Sequence, residues 1–294
     1  MTESAMADAV PKTREKICFG GYLGDCELLQ LTGTEFSDLC KQDSENDDDN
    51  TGLRVHGGSH VLIRFLVKHR SIMNSVDLVE IGSGTGVAAV AAVRCMVKSD
   101  MRAKSYLITD GNEKAVQLCH WNIEQELPDA EWVTCKNLLW KKEDTKCLMQ
   151  EAPLYGGCAD LVIGSEMMYY LVDLQALIDT VQSLCGDNGI FVSAHIFRRT
   201  NMDTEFCDLL KQAGWSLYEA PLDSFCDAEE LKDPGKGAIW HNARMLIAGT
   251  EENIWKHFEH IKDSKDKDSW RNVTELGFHD EEDTEDSILN IGMN

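Results

Sequence analysis

Short, mostly apolar runs alternate along the middle of this chain with longer stretches in which apolar positions recur every three or four residues. The first kind reads as buried strands and the second as amphipathic helices. Val61, Leu62, Phe65 and Leu66 form a helical stripe after Gly58, and Val76–Ile81 follows as a strand. Val87–Val93, rich in alanine and too apolar for a surface loop, predicts a buried helix. Lys104–Thr109 is a second strand, and Ala115, Leu118, Cys119 and Asn122 lie along a helix that stops before Pro128. Glu131–Cys135 and Asp160–Gly164 predict the third and fourth strands. Leu174, Leu177, Ile178, Val181 and Leu184 predict a helix stopped by Gly186, and Ile190–Ile196 is the fifth strand. A helix on Phe206, Leu209, Leu210 and Ala213 then precedes strands at Trp215–Ala220 and Met245–Ala248.

Seven strands alternating with helices imply an α/β, Rossmann-like fold: a mostly parallel sheet with helices on both faces. The loose apolar alternation of Ile17–Leu31 adds a short N-terminal hairpin. The expected organisation is an N-terminal extension over residues 1–50, a core domain over 51–250, and a C-terminal segment over 251–294. Within that last segment Ile254–Ile261 reads as one amphipathic helix, and composition alone predicts disorder over roughly the last 30 residues. Ligands of such sheets bind beyond the carboxyl ends of the strands, near the switch in strand order.

At the end of the first core strand, Val-Glu80-Ile breaks into Gly82-Ser83-Gly84-Thr-Gly86 and enters the alanine-rich helix. Glycines permit a positive φ and close backbone approach, and the free N–H groups of the helix start face whatever lies above the turn. A dinucleotide fingerprint needs its third glycine at the sixth loop position, where Val87 stands, and no Gly-Lys-Ser/Thr phosphate loop occurs. A nucleotide site of another kind stays open on this motif.

Asp110 ends the second strand 24 residues beyond Gly86. There it would accept both hydroxyls of a ribose, or cap the helix that begins in Asp-Gly111-Asn112-Glu. Trp140, in Asn137-Leu138-Leu-Trp140, would pack on an adenine face or sit in the core. Ser165-Glu166-Met-Met-Tyr169-Tyr170 leaves the mouth of the fourth strand. A carboxylate there can attract and orient a cationic amine, and a tyrosine can hydrogen-bond it or face its charge. Alternatively Glu166 caps the helix before Leu174 and the tyrosines are core.

Taken in order, these motifs resemble the seven-strand (class I) protein-lysine methyltransferases that depend on S-adenosylmethionine (SAM), the group acting on calmodulin, the valosin-containing ATPase and elongation factors. Thr51-Gly52-Leu53 resembles that family's lead-in segment, VEIGSGTG its first motif, and Thr109–Glu113 with Lys114-Ala115 its calmodulin-directed members. Leu138-x-Trp140 fits its Leu-x-Trp, and Ser165–Tyr170 its Ala/Ser-acid-x-x-Tyr-Tyr. The resemblance covers about Gly52–Gly249.

It implies methyl transfer from SAM to a protein side chain, with S-adenosylhomocysteine as product. Glu80, Gly82, Ser83, Gly84 and Gly86 would hold the amino-acid end of SAM, with Asp110 on the ribose. Gly111, Asn112, Asn137, Leu138 and Trp140 would surround the adenine side, and Ser165 would close the site. Glu166 and Tyr169 would be the catalytic pair facing the acceptor. Two departures matter. His56 stands where the family usually has tryptophan, which puts the contact to the methionine end in question. Glu166 replaces a common aspartate and is one methylene longer, so its reach into the site differs.

Charge and cysteine content refine the picture. With 28 basic against 51 acidic residues the net charge is −23, which disfavours nucleic acid and suits a protein substrate with a basic surface. Much of that charge lies in two runs, Asp43–Asp49 and Asp280–Asp286, which solubilise the chain if they do nothing else. Eleven cysteines without a C-x-x-C pair, no signal-peptide pattern and no long apolar run predict reduced thiols in a cytoplasmic or nuclear protein that needs no membrane and no metal. A monomer is expected. SEMMYY contains no proline, unlike the motif of exocyclic-amine nucleic-acid methyltransferases, and no cysteine is placed for cytosine-C5 chemistry. A small-molecule or protein-histidine methyltransferase, or a non-catalytic interaction protein that kept the fold, are the remaining alternatives.

Overall fold

A computed structural model describes residues 14–19, 23–30, 50–151, 154–155, 157–169, 172–197, 200–226, 242–262 and 264–276. Two strands, β1 (Arg14–Cys18) and β2 (Asp25–Leu29), pair antiparallel as the hairpin that the alternation predicts. Its inner residues, Cys26 and Leu28, are buried against the main domain.

Seven strands of the main sheet are those expected from the apolar runs: β3 (Asp77–Ile81), β4 (Ser105–Asp110), β5 (Val133–Asn137), β6 (Leu161–Ser165), β7 (Ile190–Ile196), β8 (Ser216–Ala220) and β9 (Ala243–Gly249). An eighth, β10 (Arg271–Asn272), is two residues long and joins the edge. The spatial order is β10-β8-β9-β7-β6-β3-β4-β5. Strands β5, β4, β3, β6 and β7 run parallel, and β9 inserts antiparallel between β7 and β8. Every residue of β3 is buried, as a central parallel strand covered on both faces requires.

One face is covered by α1 (Gly57–Lys68), α2 (Val87–Lys98) and α3 (Glu113–Glu126). The other carries α4 (Lys142–Glu151), α5 (Leu174–Cys185) and α6 (Thr200–Gln212). From β3 the chain steps to β4 and β5 on one side, then returns to β6 and β7 on the other. The order therefore switches between β3 and β6, where the connections diverge and open a crevice.

Two expectations need correction. Sequence places the third core strand at Glu131–Cys135, whereas β5 runs two residues later and carries Asn137 into register with Asp110. Disorder over roughly the last 30 residues is also wrong for part of that stretch. The expected single helix over Ile254–Ile261 is instead α7 (Glu251–His257), capped by the Thr250 side chain, then a 3-10 turn at Glu259–Ile261. After it, α8 (Lys265–Ser269), β10 and α9 (Val273–Leu276) pack on the domain. The physical reason is apolar: Trp255, Phe258, Ile261, Trp270 and Val273 are all buried, and Trp270 packs 4.8 Å from Phe258 and 6.1 Å from Phe65, ring centre to ring centre. Average composition hides five well-spaced anchors. Both acidic runs, Asp43–Asp49 and Asp280–Asp286, lie outside the described residues.

His69, at the end of α1, is 2% exposed inside this aromatic cluster and shares a 3.1 Å hydrogen bond between its Nδ1 and Nε2 of His260. Burial, then His260 and Lys68, push its pKa down to about 3, so it is neutral at physiological pH.

Candidate active site

Above the β3–β6 switch lies a cavity of about 730 Å³, walled by the glycine turn, the ends of β4 and β6, and the start of α1. The glycine turn comes first because its local chemistry is the most constrained. Gly82, Gly84 and Gly86 have φ of 60°, 54° and 78°, the left-handed region that a Cβ disfavours. A Cβ on Gly84 would meet the Gly52 carbonyl oxygen at 2.7 Å, and one on Gly82 the Met167 sulfur at 2.6 Å. Gly52, in the 3-10 turn Thr51–Leu53, thus lies directly on the turn, and Met167 covers it from β6. The first turn of α2 has no side-chain cap and no acidic residue, so it is left to a ligand or solvent.

Asp110 is tied into this turn. Its Oδ2 accepts from the Gly84 N–H at 2.9 Å and its Oδ1 from the Asn112 N–H at 2.9 Å. The carboxylate also lines the cavity, where it can accept from the hydroxyls of a ribose. The alternative that Asp110 caps α3 does not hold, because Asn112 does so, accepting from the N–H groups of Lys114 and Ala115. Asn137 donates to the carbonyl oxygens of Asp110 and Gly111, 3.0 Å each, and so braces the loop from outside the cavity. Gly111, Asn112, Leu138 and Trp140 line the wall, and Trp140 is half-buried there rather than a core residue.

Three expected contacts are not on the wall. Glu80 is 2% exposed and accepts a short hydrogen bond from the Tyr106 hydroxyl beneath the turn. Burial pushes its pKa up to about 8, opposed by the Tyr106 bond and helped by Asp110, so the carboxyl is largely neutral at pH 7. A neutral, buried carboxyl is a strut between β3 and β4, not a partner for a ligand's ammonium. Gly86 also lies behind the turn: a Cβ there would meet the Cys119 sulfur at 2.6 Å. Its freedom serves packing against α3. The third is Asn137, the brace already described. His56 does line the cavity, its Nε2 2.8 Å from the Thr51 carbonyl oxygen.

The β6 side is assembled differently. Ser165 ends the strand and its hydroxyl shares a 2.9 Å hydrogen bond with Ser59 in the first turn of α1. Glu166 follows with φ of 58°, a conformation that costs a residue bearing a Cβ about 1–3 kcal/mol. Its N–H is held by the Ala194 carbonyl oxygen at 2.8 Å, and its Oε1 accepts from the Gly58 N–H at 2.7 Å. The helix before which Glu166 was a candidate cap, α5, is capped by Asp173 instead. Glu166 and Tyr169 both line the cavity, and neither is core. Sequence reasoning missed Gly58, Ser59, Met167 and Asp173 as parts of this wall. Only the Gly57-Gly58 pair at a helix start offered a signal, and it named no partner.

A strand, a glycine turn, an acid ending the next strand and a crevice at the switch point form a nucleotide-type cofactor site, and the family match makes it that of a SAM-dependent methyltransferase. The sequence profile of the lysine methyltransferase family matches residues 39–213, and the chain belongs to that family. It is 23% identical over 203 residues to the histone-arginine methyltransferase METTL23 of Mus musculus, covering 67% of this chain and 72% of that protein. It is 26% identical over 168 residues to the protein N-lysine methyltransferase METTL21A of Danio rerio, covering 56% of this chain and 68% of that protein. Among solved structures, the Synechocystis magnesium protoporphyrin IX methyltransferase superposes with a TM-score of 0.45 at 12% identity, over 74% of this chain and 95% of that one. Among the described residues no helix is long and apolar enough to cross a membrane, and no cluster of three metal-ligating side chains occurs.

Proposed function

We propose that the chain methylates a side-chain nitrogen of a protein, with lysine as the acceptor. The observation that carries this reading is the Glu166 carboxylate fixed on the cavity wall by the Gly58 N–H, beside Tyr169 and across the same cavity from Asp110 and the glycine turn. Four carboxylates line that cavity against the cations Arg54 and Lys114, which favours a cationic guest.

The residues fit SAM: open glycine backbone for its amino-acid end, with Ser83 and His56 alongside; Asp110 for the ribose; Gly111, Asn112, Leu138 and Trp140 around the adenine. When bound, SAM supplies a methyl group activated by its sulfonium. Asn137, Gly86 and Glu80 support that wall from behind. A lysine side chain, with an ordinary pKa near ~10.4, arrives protonated. Glu166 attracts and orients it, Tyr169 hydrogen-bonds the nitrogen or offers its ring face, and the amine sheds its proton before it attacks. No strong acid is needed, because the displacement requires alignment and exclusion of water.

Arginine is the second reading, because METTL23 is a histone-arginine methyltransferase and a carboxylate pairs as well with a guanidinium. Incubation with methyl-labelled SAM and a cell extract, followed by acid hydrolysis and amino-acid chromatography, separates the readings. Methyl-lysine is expected. Methyl-arginine or methyl-histidine would move the acceptor assignment, and label confined to small molecules would overturn protein methylation. The acidic tail is proposed to recruit a basic partner, in the cytoplasm or nucleus. Deleting residues 280–294 then raises the apparent KM for extract protein at low salt, an effect that disappears as salt rises.

A further inference from the structure

The start of α1 has an unusual cap. His56 occupies the N-cap position but its side chain bonds the Thr51 carbonyl oxygen and caps no helix N–H, and the first turn holds no acidic residue. A helix start so left has orphan N–H donors, normally satisfied by a local Ser, Thr, Asp or Asn. Here the Gly58 N–H is satisfied by Glu166, 108 residues away, at 2.7 Å. The fit is close: a Cβ on residue 58 would lie 2.6 Å from Glu166 Oε1 and 3.0 Å from both Cδ and Cγ. Those last two atoms matter, because a clash with Cγ and Cδ is not relieved by turning the carboxylate about its last bond.

We infer that Gly58 is a positioning residue for Glu166: the missing side chain at 58 makes room for the Glu166 side chain, and the α1 N-terminus aims its carboxylate at the acceptor. This inference rests on the reading of Glu166 as the acceptor-facing acid. Three observations support it together. The carboxylate accepts directly from a backbone N–H in the first turn of α1. Its backbone is in the left-handed region, a conformation that persists only where the surroundings enforce it, and the Gly58 and Ala194 hydrogen bonds do so. The Ser59–Ser165 hydroxyl bond clamps the same two segments one residue away, so the helix start and the β6 end move as a unit. A shorter aspartate at 166 retracts from the Gly58 N–H; an alanine at 58 expels the longer glutamate. Each change alone misplaces the carboxylate, and because both act on the same contact their effects do not add.

The test is a double-mutant cycle on Gly58→Ala and Glu166→Asp, read as the initial rate of tritium transfer from labelled SAM to extract protein, with SAM affinity by calorimetry and thermal midpoint for each variant. Each single substitution is expected to slow transfer about tenfold, with SAM affinity kept within about twofold, and the double variant to be no slower than the slower single one. A double variant as slow as the product of the two would overturn the inference. A parallel readout needs no substrate: in protein labelled with 15N-glycine, the Gly58 amide proton is expected far downfield and to move upfield in Glu166→Gln. If that resonance does not move, the anchor is absent. If it moves while Glu166→Ala transfers methyl groups at the wild-type rate, the anchor stands and the acceptor role of Glu166 falls.

Discussion

The two walls of the cavity are built by opposite means. On the cofactor wall, the decisive features are local: three glycines with positive φ within five residues, and an aspartate bonded to a backbone N–H two residues on. On the acceptor wall, Glu166 is fixed by a residue 108 positions earlier and Ser165 by one 106 positions earlier. Local geometry is written as a motif, whereas a long-range contact leaves each half looking ordinary. The glycine-turn wall, which we propose holds the cofactor, was therefore legible in the sequence except for Glu80, Gly86 and Asn137, and the β6 wall only in outline. The difference also has a functional side. A wall of backbone and one shared acid suits an unvarying cofactor, while a wall of long-range side-chain contacts is free to be retuned for a different acceptor.

The largest effect should come from the residue that joins both parts of the cofactor wall. Asp110→Ala removes the acceptor for the Gly84 and Asn112 N–H groups as well as the proposed ribose contacts. SAM affinity measured by calorimetry should fall about 100-fold or more, each charge-assisted bond being worth about 1.5–3 kcal/mol. The comparison sharpens with Glu166→Ala, which should lower kcat by about ten- to a hundredfold and leave SAM affinity near normal. Tyr169→Phe belongs to the same wall and should lose less, about three- to tenfold, if its hydroxyl rather than its ring is used.

Gly86→Ala tests whether a glycine of the motif serves packing instead of ligand. Its φ of 78° and the Cys119 sulfur 2.6 Å from the new Cβ should cost about 1–3 kcal/mol in urea unfolding. SAM affinity at low temperature, where the variant is still folded, should fall far less than in Asp110→Ala.

Two opposed pH slopes complete the set. Glu80 has a raised pKa, so the folded chain keeps a proton that the unfolded chain releases. Its contribution to stability is present at low pH and lost as pH rises from 4.5 to about 8. His69 has a lowered pKa, so the unfolded chain takes up a proton that the folded chain refuses. Its contribution is lost as pH falls from 6.5 to about 3. In urea midpoints measured against pH, Glu80→Gln should flatten the alkaline slope and His69→Phe the acid slope. A Glu80→Gln variant with wild-type SAM affinity would support its place as a strut; a large loss would return it to the cofactor wall.

The fold itself was legible because its strands are short, mostly apolar runs ended by a turn residue, as in Val76–Ile81, broken only by Asp77 and Glu80, before Gly82. Where the pattern thinned, the reading failed. α4 buries only Thr145 and Leu148, too little for a helical stripe, and no expectation covered it. The segment after Thr250 carries widely spaced aromatics whose partners, Phe65 and His69, lie nearly 200 residues earlier. Glu80 misled for a different reason: an acid beside a glycine turn looks available, and only the structure shows Tyr106 claiming it.

The central claim is that one wall holds the cofactor and the other the acceptor. Calorimetric titration of SAM into the wild-type chain, Asp110→Ala and Glu166→Ala tests it most directly. The account expects wild type and Glu166→Ala to bind with the same affinity within about twofold, and Asp110→Ala to lose binding. Equal loss in both variants would contradict it, because Glu166 would then belong to the cofactor wall and the acceptor would have to be sought elsewhere.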